Sequence, residues 1–214
     1  MIPVIAFVGM PGVGKSTILA EVAARLAVSW APVAWSIDDV LRIQCPEGGA
    51  EFSGQPLYVR DGMHFLMHDD WRPGQMLRAT RGLVTLARAS VRRDLFLRPP
   101  ILLLELPLTE LATFRAAVAD EPDLSGLVAV LTSGRAVRWN RNAQRDERHR
   151  LPHSVLDYFE REIRAVDVSR EYALLRAAGW TVVSQQTDQP PAALAERLVD
   201  VAQAALWADS DTGE

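Results

Sequence analysis

A strand-forming run that leads straight into a glycine-rich turn and then into a helix leaves this chain few folds to choose from. Residues 2–8 are apolar and rich in β-branched side chains, and Thr17 to Leu26 carries apolar residues at helical spacing. Between them lies Gly9-Met-Pro-Gly-Val-Gly14-Lys15-Ser16-Thr17, a match to G-x-x-x-x-G-K-[ST]. Each residue type in that pattern has a mechanical reason. Gly9, Gly12 and Gly14, with Pro11 and Val13 between them, let backbone N–H groups curl round a polyphosphate. The lysine reaches the β- and γ-phosphates, and the Ser16 hydroxyl, with Thr17 beside it, faces Mg²⁺. Lys15 is the chain's only lysine; every other basic residue is arginine. A chance glycine-rich turn is the competing explanation. The strand before the loop and the helix after it are the setting the phosphate loop requires, and they argue against chance.

At 214 residues the chain is long enough to bury a full core in one domain. No apolar run reaches the roughly 18 residues of a membrane span. The opening run feeds the glycine-rich loop and lacks a basic leader, so no signal peptide is expected. A lone cysteine, Cys45, leaves no partner for an internal disulfide and fits a reducing, cytoplasmic setting. Its loop-like surroundings, Gln44-Cys-Pro-Glu-Gly-Gly, favour an incidental residue over a nucleophile. The net charge of −4 gives no whole-molecule attraction to nucleic acid.

Strand and helix patterns alternate along the chain. Val33 to Ile37 is a second β-type run, ending at Asp38-Asp39. Residues 43–78 are richer in turn signals and read as an insertion on the substrate side, with a short helix around Met63 to Met67. Leu77 to Leu95 has helical spacing, stopped by Pro99-Pro100. Ile101 to Leu106 is a continuous apolar run, as in a strand buried on both faces of a parallel sheet. A helix over Thr109 to Ala119, a strand over Leu127 to Leu131, a long helix over Val155 to Ala178, a strand over Trp180 to Ser184 and a helix over Pro191 to Leu206 complete the pattern. A single domain over 1–208 is expected, with 209–214 an acidic disordered tail. The alternation predicts an α/β fold: a P-loop NTPase three-layer sandwich, with a mostly five-stranded parallel sheet and helices on both faces.

Ligands bind such sheets at the carboxyl ends of the strands. That rule brings Gly9–Ser16, Asp38/Asp39, Glu105 and Thr132–Arg135 to one rim although they are distant in sequence. A carboxylate next to the phosphate loop can take a proton from an attacking hydroxyl or hold it in line. Asp38 is the first choice and Asp39 the second, the competing role being to cap the following helix. Arg42 follows closely enough to grip an anionic substrate group. Glu105 sits at the end of the most apolar strand, where an acid needs a partner; a Mg²⁺ site shared with Ser16 supplies one, and exposure just past the sheet is the alternative. Arg135, Arg138, Arg141, Arg145 and Arg148 step by three or four residues and form a stripe if helical. Read as a lid over 132–150, the stripe holds ATP through Arg135 and stabilises developing charge through Arg138 and Arg141; a solvated face and a nucleic-acid contact are the alternatives. Residues 58–72 mix Tyr58, Phe65 and Trp71 with Arg60, Asp61, His64 and Arg72, which suits an acceptor pocket. His64 and His68 would share a helical face as metal ligands, with no Cys near them and no H-E-x-x-H pattern.

The loop, the acid pair after the second strand and the later arginines together resemble the P-loop kinases, in the branch of polynucleotide kinases, zeta-toxin-like kinases and chloramphenicol phosphotransferase. In that branch an Asp after the second strand activates the acceptor hydroxyl and an Arg shortly after it contacts substrate. Ile37-Asp38-Asp39-Val-Leu-Arg42 is similar to that segment, with the Asp–Arg spacing ambiguous by one residue. The resemblance is specific only at residues 9–17 and 37–42; residues 43–78 match no pattern in it. It implies an ATP- and Mg²⁺-dependent kinase acting on a hydroxyl of a small molecule, a nucleoside or a natural product. A hydroxyl on a nucleic acid is the second acceptor class. A hydrolysing NTPase switch that regulates a partner, and a nucleotide binder without catalysis, are the readings from other classes. A guanine-reading N-K-x-D motif would need a second lysine, which the chain lacks.

Overall fold

A computed structural model describes residues 1–44, 57–60, 63–66, 72–91, 97–145, 150–151 and 153–207. Among the described residues the alternating pattern resolves into fifteen helices and strands. Ile2–Gly9 (β1) leads into Lys15–Leu26 (α1), Ala31–Ser36 (β2) and Ile37–Gln44 (α2). Leu57–Arg60 (β3), Met63–Leu66 (β4) and Arg72–Ser90 (α3) follow, then Pro100–Pro107 (β5), Leu111–Ala119 (α4) and Leu124–Thr132 (β6). The chain continues through Arg135–Ala143 (α5), His153–Glu162 (α6), Val168–Ala177 (α7), Thr181–Gln186 (β7) and Pro191–Trp207 (α8).

Five strands form one parallel sheet in the order β2-β5-β1-β6-β7. The near-continuous apolar runs of β1, β5 and β6 follow from this position, because both faces of a central parallel strand are covered. Alternation sorts their side chains. Val4, Ala6 and Val8 of β1 join Leu102, Leu104 and Leu106 of β5 on the face covered by α3, α4 and the start of α2. Ile5 and Phe7 join Ile101, Leu103, Leu127 and Ala129 on the opposite face, under Ile18, Val22 and Leu26 of α1 and Leu194 and Leu198 of α8. The expected α/β three-layer sheet is therefore present.

From β1 the chain crosses to β2 on one side of it, and from β6 it crosses to β7 on the other. Neighbouring strands whose connections diverge leave a crevice at their carboxyl ends, and the glycine-rich loop opens there.

Three expectations give way. Met63–Leu66 is a strand paired antiparallel with β3, Arg60 opposite Met63 and Val59 opposite His64, and not a short helix. The sequence signal was Asp61-Gly62 between two four-residue runs, a common two-residue hairpin connection. The single helix expected over Val155 to Ala178 is two. It narrows to a 3₁₀ turn at Ile163–Ala165, Val166 is extended, and Asp167 restarts it by accepting a hydrogen bond from Arg170 N at 3.0 Å. A short acid between two valines is an N-cap signal that helical periodicity alone overrides. The arginine-rich helix ends at Ala143, so Arg145 lies beyond it. Cys45, Asp61, His68, Trp71, Asp146, Glu147, Arg148 and the tail 209–214 lie outside the described residues.

Candidate active site

The phosphate loop begins where β1 ends. Gly14 occupies the N-cap of α1 with φ 98°, a left-handed conformation that only glycine adopts freely, and no side chain caps the helix. The first N–H groups of α1 therefore face the loop with no side-chain partner, and the helix dipole adds positive potential there. Gly12, at φ 78°, shares that left-handed conformation and has a second reason to be glycine. A Cβ at that position would meet the carbonyl oxygen of Arg138 at 2.8 Å, so the loop lies directly against α5.

Lys15 folds back over the loop. Its Nζ donates to Gly9 O at 3.1 Å and Met10 O at 3.3 Å and stands 4.0 Å from Glu105 Oε1. Burial holds its pKa below the usual 10.5, opposed by the negative charges of Glu105 and Asp38 and reinforced by the positive charge of Arg145. Glu105 lies within β5 and not past it. It pairs in register with Phe7 and Ser36, and the strand runs on to Pro107. Alternation puts Glu105 on the same face as Ile101 and Leu103, the face α1 covers, and the Ser16 hydroxyl donates to its Oε1 at 3.1 Å. Ser16 and Thr17 are exposed at the mouth.

The acid pair divides its work at the start of α2. The Asp39 carboxylate accepts from Ser36 N at 2.8 Å and from the Ser36 hydroxyl at 2.7 Å, while Ser36 Oγ accepts from Asp39 N at 3.1 Å. This is a reciprocal capping box with aspartate in the usual glutamate position. Asp38 is not in that cap, and its charge acts on Lys15. Arg42 lies on the last turn of α2. The hairpin carrying Arg60 and His64 packs through β4 against α2. Because His64 sits in a strand, the helical spacing that would have made it a metal partner of His68 does not apply.

The arginines of α5 are not an unbalanced stripe. Three-residue steps fall about 60° short of a full helical turn, so successive arginines rotate round α5. Arg135 pairs with Asp157 at 3.0 Å and lies over the Trp139 ring at 4.8 Å. Arg138 is buried and donates to Glu160 and to Ser133 O. Arg141 turns the other way. It donates through one nitrogen to Val13 O and Thr187 Oγ1, both at 3.0 Å, and through the other to Thr187 O at 2.5 Å. In the last turn of α5, buried Asn142 exchanges two 2.9 Å hydrogen bonds with the backbone of Leu151, joining the two ends of the segment that contains Arg145. Sequence reasoning read the arginines as a stripe and missed Asp157 and Glu160 as their counter-charges. Their three-residue spacing on the next helix was the available signal. It also missed Thr187, for which the only signal was its place just beyond a carboxyl strand end.

The arrangement offers a cation, a set of helix-start N–H groups, a hydroxyl–carboxylate pair and a second carboxylate around one crevice. These are the parts phosphoryl transfer uses. The same fold occurs in a sugar kinase from Janibacter sp. HTCC2649, which matches at a TM-score of 0.56 and 15% identity over 96% of this chain and 98% of that one. The tunicamycin resistance protein of Deinococcus radiodurans matches at 0.52 and 15% identity over 94% and 95%. A gluconokinase from Sinorhizobium meliloti 1021 matches at 0.50 and 14% identity over 98% and 94%. No family model matches the sequence, and no curated protein does. At these identities the likeness is one of fold, the fold that the sugar kinase and the gluconokinase share.

Proposed function

We propose that this protein is an ATP-dependent kinase that transfers the γ-phosphate to a hydroxyl of a small molecule. The observation that carries the reading is the meeting of Lys15, the Ser16–Glu105 pair and Asp38 at one rim, from three separate stretches of chain. Lys15 and the N–H groups of the loop bind the phosphates. The Ser16 hydroxyl and the Glu105 carboxylate, 3.1 Å apart, are hard oxygen donors of the kind Mg²⁺ takes, so they would hold the ion directly or through water. Bound there, Mg²⁺ would neutralise phosphate charge. Asp38 accepts the acceptor's proton or holds its hydroxyl in line, while Asp39 stays in the cap. Arg145, whose positive charge acts on Lys15, adds positive potential at the phosphates.

The acceptor is taken to sit beside α2 and the hairpin, bordered by Arg42, Arg60, Asp61 and His64. The aromatic residues Tyr58 and Phe65 on that hairpin suit a ring-bearing acceptor with hydrogen-bonding substituents. The sugar kinase and gluconokinase among proteins of the same fold support a small hydroxylated acceptor over a nucleic acid. So do the acids that neutralise Arg135 and Arg138, because they leave less basic surface for phosphates of a strand. ATP supply makes the cytoplasm the matching compartment. Among the described residues no helix is long and apolar enough to cross a membrane.

The test is ATP consumption across sugars and sugar acids, nucleosides, glycosylated natural products and oligonucleotides, with Asp38→Asn as the control. One acceptor class should stimulate turnover in the wild type and not in the variant. Hydrolysis that no hydroxyl acceptor stimulates, but that a protein partner does, would replace the kinase with an NTPase switch.

A further inference from the structure

We infer that Arg141 is a positioning residue that fixes the orientation of the Val13–Gly14 peptide in the phosphate loop. The inference rests on the reading that this loop holds a polyphosphate, and it assigns Arg141 a role other than direct contact with the transferring group.

Val13 C=O and Gly14 N–H belong to one planar trans peptide unit and point in opposite directions. A donor that holds the carbonyl outward therefore holds the N–H inward, toward the crevice. Arg141 is that donor, at 3.0 Å from Val13 O. Without it this peptide is the soft point of the loop. Gly14 at φ 98° has no Cβ to resist rotation of the unit, and the nearest atom a Cβ would meet is an Arg141 nitrogen at 3.9 Å.

The guanidinium is itself braced. Thr187 accepts from it through both its hydroxyl and its carbonyl, and Thr187 N donates to Thr132 O at 2.9 Å. Thr187 is buried, so the brace is anchored where β6 and β7 end. The close approach of Gly12 to the Arg138 carbonyl fixes the neighbouring turn of α5 against the same loop. A planar fork makes all three contacts at once, whereas an ammonium on a flexible stem cannot. Lysine keeps the charge and loses the geometry, and this separates positioning from electrostatics.

The first measurement needs no nucleotide. In protein labelled with ¹⁵N-glycine, the Gly14 amide of the wild type should give one sharp resonance, and Arg141→Lys should broaden or double it. The second is calorimetric titration with inorganic tripolyphosphate and with a non-hydrolysable ATP analogue. Arg141→Lys should weaken both together by roughly tenfold, as expected when a charge-assisted contact is lost. Thr187→Val, which removes only the hydroxyl, should weaken both a few-fold and serves as the deciding variant if Arg141→Lys folds poorly. A Gly14 resonance unchanged by Arg141→Lys, or tripolyphosphate affinity unchanged in a folded variant, overturns the positioning role. A wild type that binds neither probe instead overturns the phosphate reading, and the assignment falls with it.

Discussion

Lys15, on the proposed reading a phosphate ligand, is held in place at some expense to the fold. Its pKa lies below 10.5 because burial disfavours the ammonium more than Glu105 and Asp38 favour it. Between the lowered value and 10.5 the unfolded chain binds the proton and the folded chain does not, so this group's contribution makes the free protein more stable as pH rises through that window. Bound polyphosphate adds negative charge and raises the pKa again. Binding of an ATP analogue should therefore take up protons in that alkaline window and weaken as pH rises, measurable by calorimetry in buffers of different ionisation enthalpy. Lys15→Ala should abolish phosphoryl transfer without lowering Tm. The acid pair separates in the same way. Asp38→Asn should lower turnover by roughly 10²-fold with nucleotide binding kept, as for loss of a positioned base. Asp39→Asn should act on the fold, costing about 1 kcal/mol through the lost capping box. Equal effects of the two on turnover per folded molecule would undo the division.

At the scale of elements, α5 and α6 decide what the arginine stripe is. Arg135–Asp157 and Arg138–Glu160 join the helices, and Trp139 packs on His153 with ring centres 5.0 Å apart. Arg138 is the buried member, so removing it leaves Glu160 uncompensated. Arg138→Ala should destabilise by about 3 kcal/mol in denaturant unfolding while turnover per folded molecule stays near that of the wild type. A large fall in turnover with stability intact would restore the catalytic role that its place in the stripe suggested. The existence of α5 was legible from spacing. Which way its arginines face was not, because that depends on a second helix whose acids lie some twenty residues further along.

At the scale of the whole molecule, the sheet order places β1 and β6 side by side with connections that leave in opposite directions, which is why the site opens over Gly9. A small acceptor entering that crevice makes few phosphate contacts, so turnover should change little between low and moderate salt. A nucleic-acid acceptor would instead give a steep fall. Much of this was written in the sequence itself. The run before Gly9, the spacing of Gly12, Gly14 and Lys15 and the apolar run around Glu105 each follow from local chemistry, because a parallel strand covered on both faces and a loop built on glycine have few other sequences open to them. The tertiary structure alone decided that the Ser16 hydroxyl donates to Glu105, that Asp39 and not Asp38 forms the cap, that Arg141 turns to Val13 and Thr187, and that α6 and α7 part at Val166. Those outcomes depend on distances between segments far apart in the chain, and no local pattern encodes a distance.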